Sequence, residues 1–99
     1  MSRAVDENTS VRNVTLRYWA SARAAAGTDT DELEVPGPVS LADLLSRARE
    51  AHADSPRFAQ VLSCCSVMVG DRPVTTDDPA EVVVHPGATV EFLPPFAGG

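Results

Sequence analysis

Lysine is absent from this chain, and all eight of its basic residues are arginines. Without lysine there is no side-chain amine that could form a Schiff base with a carbonyl substrate. The same absence removes every side-chain acceptor for amide conjugation, which excludes chains of copies linked through lysine. Any covalent chemistry of this protein must therefore use other groups.

Positive charge and long apolar runs are both scarce. Eight basic residues face fourteen acidic ones, giving a formal net charge of −6, and the arginines are scattered. Nucleic-acid binding needs clustered Lys and Arg, so no such partner is expected, whereas a partner with a basic docking face would be attracted. No apolar run approaches the roughly 18–20 residues of a membrane span, and residues 1–10 carry no secretion signal. We expect no membrane partner and a cytoplasmic location.

Cysteine is limited to one adjacent pair, Cys64 and Cys65. Neighbouring cysteines do not build a disulfide framework, and a ring closed between them would be strained. We interpret the pair as two small, buried or half-buried apolar residues of a protein from a reducing compartment. A redox switch through a vicinal disulfide is the alternative.

Groups for metal binding and catalysis are sparse as well. His52 and His85 lie far apart, without ligand spacing to each other or to the cysteines, so we expect surface or turn histidines and no metal site. Asp77 and Asp78 resemble the start of a cation loop, but no run of oxygen ligands follows, which favours a loop-initiating pair. There is no glycine-rich phosphate loop and no Ser/His/Asp pattern. The interior of the sequence thus contains no recognisable active site.

The length of 99 residues suits one small domain, and 43% hydrophobic with 22% charged residues is typical of a globular fold. Residues 1–10 are polar and aperiodic, which predicts a disordered N-terminal tail. The folded domain is expected over residues 11–93, and residues 94–99 are expected to form an extended C-terminal tail.

Two alternating segments predict a hairpin in the first third of the chain. The first strand is expected to bury three side chains, those of Val14, Leu16 and Tyr18. The alanine-rich segment 20–26 predicts a turn of helix that Gly27 ends in the left-handed conformation. A second strand follows over residues 30–35, and the Pro-Gly-Pro sequence after it stops the alternation.

Leucines at helical spacing predict the main helix of the fold. Ser40 is a good N-cap, and the helix should fade around residues 52–53. Its apolar stripe consists of Leu41, Leu44, Leu45 and Ala48. A second helix of about two turns is predicted to begin with Ser55 as its cap and Pro56 at its first position. The buried side of this short helix would be Phe58, Val61 and Leu62.

The last third of the chain predicts strands over residues 66–69 and 89–93. Residues 72–74 can form a short edge strand at best, because Pro73 has no N–H to donate. In the last strand, Val90 and Phe92 share one face and Leu93 lies on the other. The order of elements predicts an α+β fold, with one main helix packed across a sheet.

The end of the sequence, Phe92–Gly99, reads FLPPFAGG. A terminal glycine has no Cβ to shield its carboxyl carbon, and two glycines adopt conformations that other residues avoid. Pro94 and Pro95 favour a stiff, extended backbone. A frayed end is the simpler alternative, since two final glycines arise by chance in about one protein in 200. Large apolar residues argue against a frayed end, because Phe92, Leu93 and Phe96 are better explained as anchors to the body or to a partner. We therefore interpret the segment as a tail that presents its terminal carboxylate.

These residues resemble the ThiS/MoaD family of ubiquitin-like sulfur carriers, within which the small subunits of molybdopterin synthase are the most similar. The last eight residues are similar to the family's aromatic-aliphatic-Pro-Pro-x-x-Gly-Gly ending. The segment Leu16–Ala20 with Arg23 and Gly27 looks like the family's first strand, Phe-Ala pair and Arg, and Met68–Gly70 looks like its Val-Asn-Gly. The likeness spans roughly residues 12–99, and only the tail motif is specific.

The resemblance implies a β-grasp fold, with a mixed sheet of four to five strands, and a carrier cycle in molybdenum cofactor biosynthesis. A ubiquitin-activating-like adenylyltransferase would use ATP to adenylate Gly99, and a sulfur donor enzyme would convert the adenylate into a thiocarboxylate. The molybdopterin synthase large subunit would hold the pterin precursor that receives the sulfur. The chain would be no enzyme by itself and would bind no permanent cofactor. Gly98 would give clearance, and the partner-binding residues would be Trp19, Phe92, Leu93, Pro94, Pro95, Phe96 and Ala97.

Three departures from the family pattern leave the partner open. Ala24 stands where the family often has Glu, Val69 replaces a common Asn, and residues 85–90 lack the usual acidic pair. All three lie on the body of the domain and not in the tail. The alternatives are therefore a sulfur carrier for cysteine or thiamine biosynthesis, or a ubiquitin-like docking or modifier module without sulfur transfer.

Overall fold

The computed structural model describes residues 12–75 and 78–95. The predicted N-terminal tail and the residues Phe96, Ala97, Gly98 and Gly99 lie outside this range. The described strands are β1 Asn13–Tyr18, β2 Thr30–Glu34, β3 Val39–Ser40, β4 Ser66–Val69, β5 Arg72–Pro73, β6 Val83–Val84 and β7 Thr89–Leu93. The α-helices are α1 Ala20–Ala26, α2 Leu41–Ala51 and α3 Phe58–Ser63, and a 3-10 turn spans Pro79–Glu81.

The main sheet has five strands in the order β2-β1-β7-β4-β5. Its central pair, β1 and β7, is parallel, with Tyr18 beside Phe92, and the other neighbours are antiparallel. The predicted hairpin of β1 and β2 is confirmed, with Val14 opposite Leu33. The structure therefore confirms the α+β fold with a mixed sheet, and it places β5, with Pro73, at the edge, as predicted.

The core lies between the inner face of this sheet and helix α2. Alternation in β1 buries Val14, Leu16 and Tyr18, each at most 1% exposed, as its period of two predicts. Val90 and Phe92 of β7 lie beside them on the same face of the sheet, and Leu41, Leu44 and Ala48 of α2 pack against this face. Burying an aliphatic or aromatic side chain of this size stabilises a domain by about 1.5–3 kcal/mol. This one cluster thus supplies most of the driving force for folding.

Helix α2 begins and ends where the sequence predicts. The Ser40 Oγ accepts a hydrogen bond of 3.0 Å from the backbone N–H of Asp43, which satisfies one of the free donors of the first turn. The C-cap is His52. The earlier helix α1 ends at Gly27, whose φ of 76° is the left-handed conformation predicted for it.

The predicted start of helix α3 is wrong. The helix begins at Phe58, its N-cap is Arg57, and no side chain caps it. Ser55 instead accepts a backbone hydrogen bond of 3.1 Å from the N–H of Phe58 through its carbonyl, which closes a turn before the helix. Phe58 is only 1% exposed, so its burial fixes where the helix begins.

A second sheet was not predicted. Strands β3 and β6 pair antiparallel, with Val39 opposite Val84 and Ser40 opposite Val83. Each strand has two residues, which is too short for a period of two to be recognised. The pairing depends on tertiary contacts and joins the start of α2 to the loop before β7.

His52 lies in the turn that follows α2, as predicted, and its half-buried side chain makes a polar contact that the sequence did not predict. Its Nε2 lies 2.6 Å from Asp31 Oδ2, and the same oxygen accepts a hydrogen bond of 2.8 Å from the Tyr18 hydroxyl. Burial, the hydrogen bond to Asp31 and the charge of that carboxylate all raise the pKa of Tyr18 above its ordinary value. His85 is exposed and precedes a turn, as predicted.

Candidate functional site

The site begins where the central strand β7 ends. Because β7 pairs with β1 on one side and β4 on the other, its backbone is held on both sides up to Phe92, and Leu93 is still paired with Ser66 of β4. Pro94 is half-buried and Pro95 is exposed. Proline has no N–H for a sheet ladder, so the paired strand stops here. The segment 93–95, called the tail root below, is therefore fixed to the most firmly paired part of the sheet.

Phe92 is not part of an exposed docking surface, which corrects its predicted role. Its side chain is 0% exposed and stacks on the Tyr18 ring, with centroids 5.7 Å apart. Alternation in β7 sends Val90 and Phe92 to the core and leaves Leu93 on the opposite face. Phe92 thus anchors the last strand to the body, and a partner cannot reach it in the folded protein.

Trp19 lies beside the tail root and is accessible, with 41% of its surface exposed. Its backbone N–H donates a hydrogen bond of 3.2 Å to the carbonyl of Phe92. Its indole Nε1 donates to Glu91 Oε2 at 3.3 Å, and the Arg17 guanidinium carbon lies 4.8 Å from the ring centroid. These contacts hold the indole in one orientation on the outer face of the sheet. An ordered, exposed aromatic ring is the type of residue that often dominates binding energy.

The structure therefore brings four of the predicted site residues to one end of the sheet: Trp19, Leu93, Pro94 and Pro95. Phe92 lies behind them in the core. Phe96, Ala97, Gly98 and Gly99 are outside the described residues, so their predicted roles stay predictions.

An open groove next to the tail root was missed by sequence reasoning. It has a volume of about 390 Å³, and its walls come from α1, α3 and the tail root: Ser21, Arg57, Gln60, Val61, Cys64, Pro94 and Pro95. These residues come from three distant parts of the chain, and none belongs to a recognisable motif. No sequence signal joins them, because only the packing of α1 against α3 and β7 makes them neighbours.

The two cysteines differ in their surroundings. Cys64 is exposed, so its predicted burial is wrong, whereas Cys65 is half-buried as expected. The Cys65 thiol donates to the Val61 carbonyl at 3.3 Å, and burial together with the neighbouring Cys64 raises the pKa of Cys65 to about 11. Both thiols are free. Cys64 is therefore the accessible thiol of the pair.

No group of three or more His, Cys, Asp or Glu residues in 12–75 and 78–95 is arranged to hold a metal ion. None of the helices described here has the length and apolarity needed to cross a membrane.

The class of protein follows from the fold. A mixed five-stranded sheet with a parallel central pair and a helix packed across it define a β-grasp, ubiquitin-like domain. The sequence profile of the ThiS family matches residues 16–99. The chain belongs to the ThiS family, which confirms the resemblance seen in the sequence.

Known proteins agree with this assignment. The chain is 31% identical over 84 residues to the molybdopterin synthase sulfur carrier subunit of Aspergillus niger, a match that covers 85% of this chain and 91% of that protein. The fold is shared with small archaeal modifier protein 1 of Haloferax volcanii, with a TM-score of 0.72, 18% identity, and coverage of 88% of this chain and 99% of that one. It is also shared with a chain in the complex of subunits 1 and 2 of molybdopterin-converting factor from Helicobacter pylori, with a TM-score of 0.58, 16% identity, and coverage of 88% and 99%.

Proposed function

We propose that this protein is a sulfur carrier that donates sulfur to the pterin precursor of molybdopterin through a thiocarboxylate on Gly99. The observation that carries the proposal is the 31% identity to a molybdopterin synthase sulfur carrier subunit across most of both chains. The family match supports it further, because it continues through the Gly-Gly sequence to residue 99. The fold alone is not decisive, because modifier proteins share it.

Activation has to precede sulfur transfer, because a carboxylate is a poor electrophile without a good leaving group. In the proposed cycle, an oxygen of the Gly99 carboxylate attacks the α-phosphorus of ATP, and diphosphate leaves. The resulting acyl adenylate is formed on a separate adenylyltransferase, which binds the ATP. The contribution of this chain is to present a carboxyl carbon that no side chain shields.

Sulfur then replaces the nucleotide. Hydrosulfide supplied by a donor enzyme attacks the acyl carbon and AMP leaves with the electrons of the broken C–O bond, so that a thiocarboxylate forms on Gly99 and one proton is released without any change of oxidation state. Sulfur is soft and the thioacid is ionised near neutral pH, so this group is a better nucleophile than the parent carboxylate. It would attack the pterin precursor held by the large subunit of molybdopterin synthase. The Helicobacter pylori complex shows that a protein of this fold does assemble with such a second subunit.

The tail root suits this role mechanically. Pairing of β7 on both sides fixes the point where the tail begins, and Pro94 and Pro95 restrict the backbone that follows. Gly98 and Gly99 would pass through a channel too narrow for larger side chains. Trp19 and Leu93, at the same end of the sheet, are available for apolar contacts with the partner.

The proposal is tested by mass spectrometry of the intact protein. Incubation with an adenylyltransferase of this family, ATP and a sulfide source should raise the mass by about 16 Da, as oxygen is exchanged for sulfur at the C-terminus. A variant that lacks Gly98 and Gly99 is the matched control and should not change. An unmodified wild-type chain, under conditions that convert a known carrier, would contradict the proposal.

The identity of the sulfur acceptor is tested separately, because Ala24 and Val69 depart from the family pattern. Affinity purification of the tagged protein should recover a molybdopterin synthase large subunit. Exclusive recovery of a cysteine-synthase-like or thiamine-pathway enzyme would be consistent with the sulfur-carrier chemistry. It would show that the sulfur goes to a different biosynthetic pathway. Full function after removal of Gly98 and Gly99 would instead favour a docking module.

A further inference from the structure

The groove beside the tail root is a second surface, distinct from the one formed by Trp19 and Leu93, and the proposed cycle described above gives it no role. Helix α1 contributes Ser21 to it, and the tail root contributes Pro94 and Pro95. The remaining wall is the exposed side of α3 and its flanking residues: Arg57, Gln60, Val61 and Cys64. The groove is therefore apolar at Val61 and the prolines, and polar along its rim.

The charge of this groove is opposite to that of the chain. The protein has a net charge of −6, yet Arg57 is the one charged residue among the described residues that line the groove. Within residues 12–75 and 78–95, no carboxylate lies within 4.0 Å of the Arg57 guanidinium, whereas Arg23 pairs with Asp29 at 2.8 Å. An exposed guanidinium without a partner is well suited to form a bidentate contact with a carboxylate from another molecule.

The position of the groove indicates which partner protein would contact it. Four residues follow Pro95, and an extended chain spans at most about 3.6 Å per residue, so covalent geometry keeps the Gly99 carboxylate within about 14 Å of Pro95. A protein that accepts Gly99 into an active site must therefore approach the body at the tail root. The groove shares Pro94 and Pro95 with that root, so the same protein would cover both.

We propose that this groove is a docking site for an acidic-apolar segment of the large subunit that receives the tail. An Asp or Glu of that segment pairs with Arg57, and an adjacent apolar side chain packs against Val61 and Pro94. This inference rests on the proposed function, because that function supplies the reason why a partner comes to the tail root. It adds a charged contact to the apolar surface of Trp19 and Leu93, and it fixes the orientation of docking.

The contact is tested by charge reversal. Binding of the recombinant molybdopterin synthase large subunit should weaken by about tenfold or more in Arg57→Glu, because the carboxylates then repel each other, and by a smaller factor in Arg57→Gln. The matched control is Arg12→Glu, an exposed arginine just before β1. Because β1 and β7 run parallel, Arg12 lies about 20 Å from the tail root along the sheet. It should change the Kd by less than about twofold.

The outcomes separate the two proposals. Equal binding of the Arg57→Glu and Arg12→Glu variants would overturn the docking site and leave the carrier function intact. A wild-type protein that binds the large subunit in no condition would overturn the proposed molybdopterin function, and the docking site with it. Circular dichroism spectra and melting curves of the variants check that the fold is unchanged.

Cys64 reports directly on what occupies the groove. In a Cys65→Ala variant, the rate at which N-ethylmaleimide alkylates Cys64 measures access to the groove. Saturation with the large subunit should slow this rate by about fivefold or more, and the free protein should react at the same rate with or without residues 96–99. Unchanged alkylation in the complex would overturn the proposal. Faster alkylation after deletion of residues 96–99 would also overturn it, since the chain's own tail would then be the occupant.

Discussion

The two faces of the last strand, β7, differ in what they contribute. On the inner face, Val90 and Phe92 are 0% exposed and pack into the core, where Phe92 stacks on Tyr18. On the outer face and at its end, Leu93, Pro94 and Pro95 are partly or fully exposed beside Trp19. One strand therefore stabilises the domain with alternate side chains and holds the tail root in place with its paired backbone. If the outer face is the docking surface proposed above, stability and docking depend on adjacent residues of opposite faces, and we expect that each can be changed with little effect on the other.

Removal of Gly98 and Gly99 should produce the largest functional effect. We expect complete loss of sulfur loading and of molybdopterin formation, because the Gly99 carboxyl group proposed to carry the sulfur is gone and the chain then ends at Ala97. The melting temperature should change by less than about 2 °C, since two terminal residues contribute little to a folded core. Reconstituted sulfur transfer and differential scanning calorimetry measure the two effects. A large drop in melting temperature would contradict the view that the tail acts in function and contributes little to stability.

Truncation of Phe92 should produce the largest effect on stability. Phe92→Ala removes a fully buried ring and leaves a cavity, so the free energy of unfolding should fall by about 3–5 kcal/mol. A small domain has about 5–15 kcal/mol in total. The matched control, Leu93→Ala on the opposite face, should cost about 1 kcal/mol. Urea denaturation followed by circular dichroism measures both, and similar losses at the two positions would contradict the assignment of faces.

Replacement of Trp19 should reduce affinity for the partner protein while changing the stability of the domain only slightly. Trp19→Ala loses one exposed hydrogen bond and a stacked guanidinium, so the free energy of unfolding should change by only about 0.5–1 kcal/mol. Affinity for the partner protein should fall by about tenfold or more, as is typical when an interface aromatic is truncated. Isothermal titration calorimetry gives the Kd. Unchanged affinity together with a large loss of stability would assign Trp19 to the body instead.

The smallest effect is expected from ionisation of Tyr18, which should lower the free energy of unfolding only at alkaline pH. Its pKa is raised in the folded state, mainly by burial, so the unfolded chain loses this proton at lower pH than the folded chain does. The stabilising contribution of protonated Tyr18 is complete below the ordinary pKa of about 10 and is lost as pH rises above it. Tyr18 is the one tyrosine of the chain, so ultraviolet absorbance of tyrosinate should appear only as the protein unfolds. Titration of the folded protein with an ordinary pKa would contradict this.

Much of the fold could be predicted because local signals agree with tertiary contacts. The alternation of Val14, Leu16 and Tyr18 matches their burial, and Ser40 caps α2 as its type and position predict. Prediction failed where the deciding interaction is long-range. The two-residue strands β3 and β6 exist only through their pairing. His52 is held by Asp31, 21 positions earlier in the chain, so its partner could not be recognised from its neighbours in sequence.

The candidate site shows the same division. The tail motif singled out Leu93, Pro94 and Pro95 from local features, and the structure places them beside Trp19 at one end of the sheet, while their partner-binding role stays a prediction. It misplaced Phe92, since an aromatic residue near a terminus can serve either the core or a partner, and only burial distinguishes the two. Arg57 and Cys64 were not recognised as neighbours of the tail root, because their proximity comes from the packing of α1, α3 and β7.

The sequence by itself determined the family, the alternation of the strands and the cap of α2, because each of these depends on residue types at short, fixed spacings. Only the tertiary structure decided which side of β7 faces solvent, where Trp19 lies relative to the tail root, and which residues surround the groove. Those properties depend on contacts between segments that are far apart in the chain. Contacts of that kind are selected by burial and backbone pairing together, and no short window of sequence contains them.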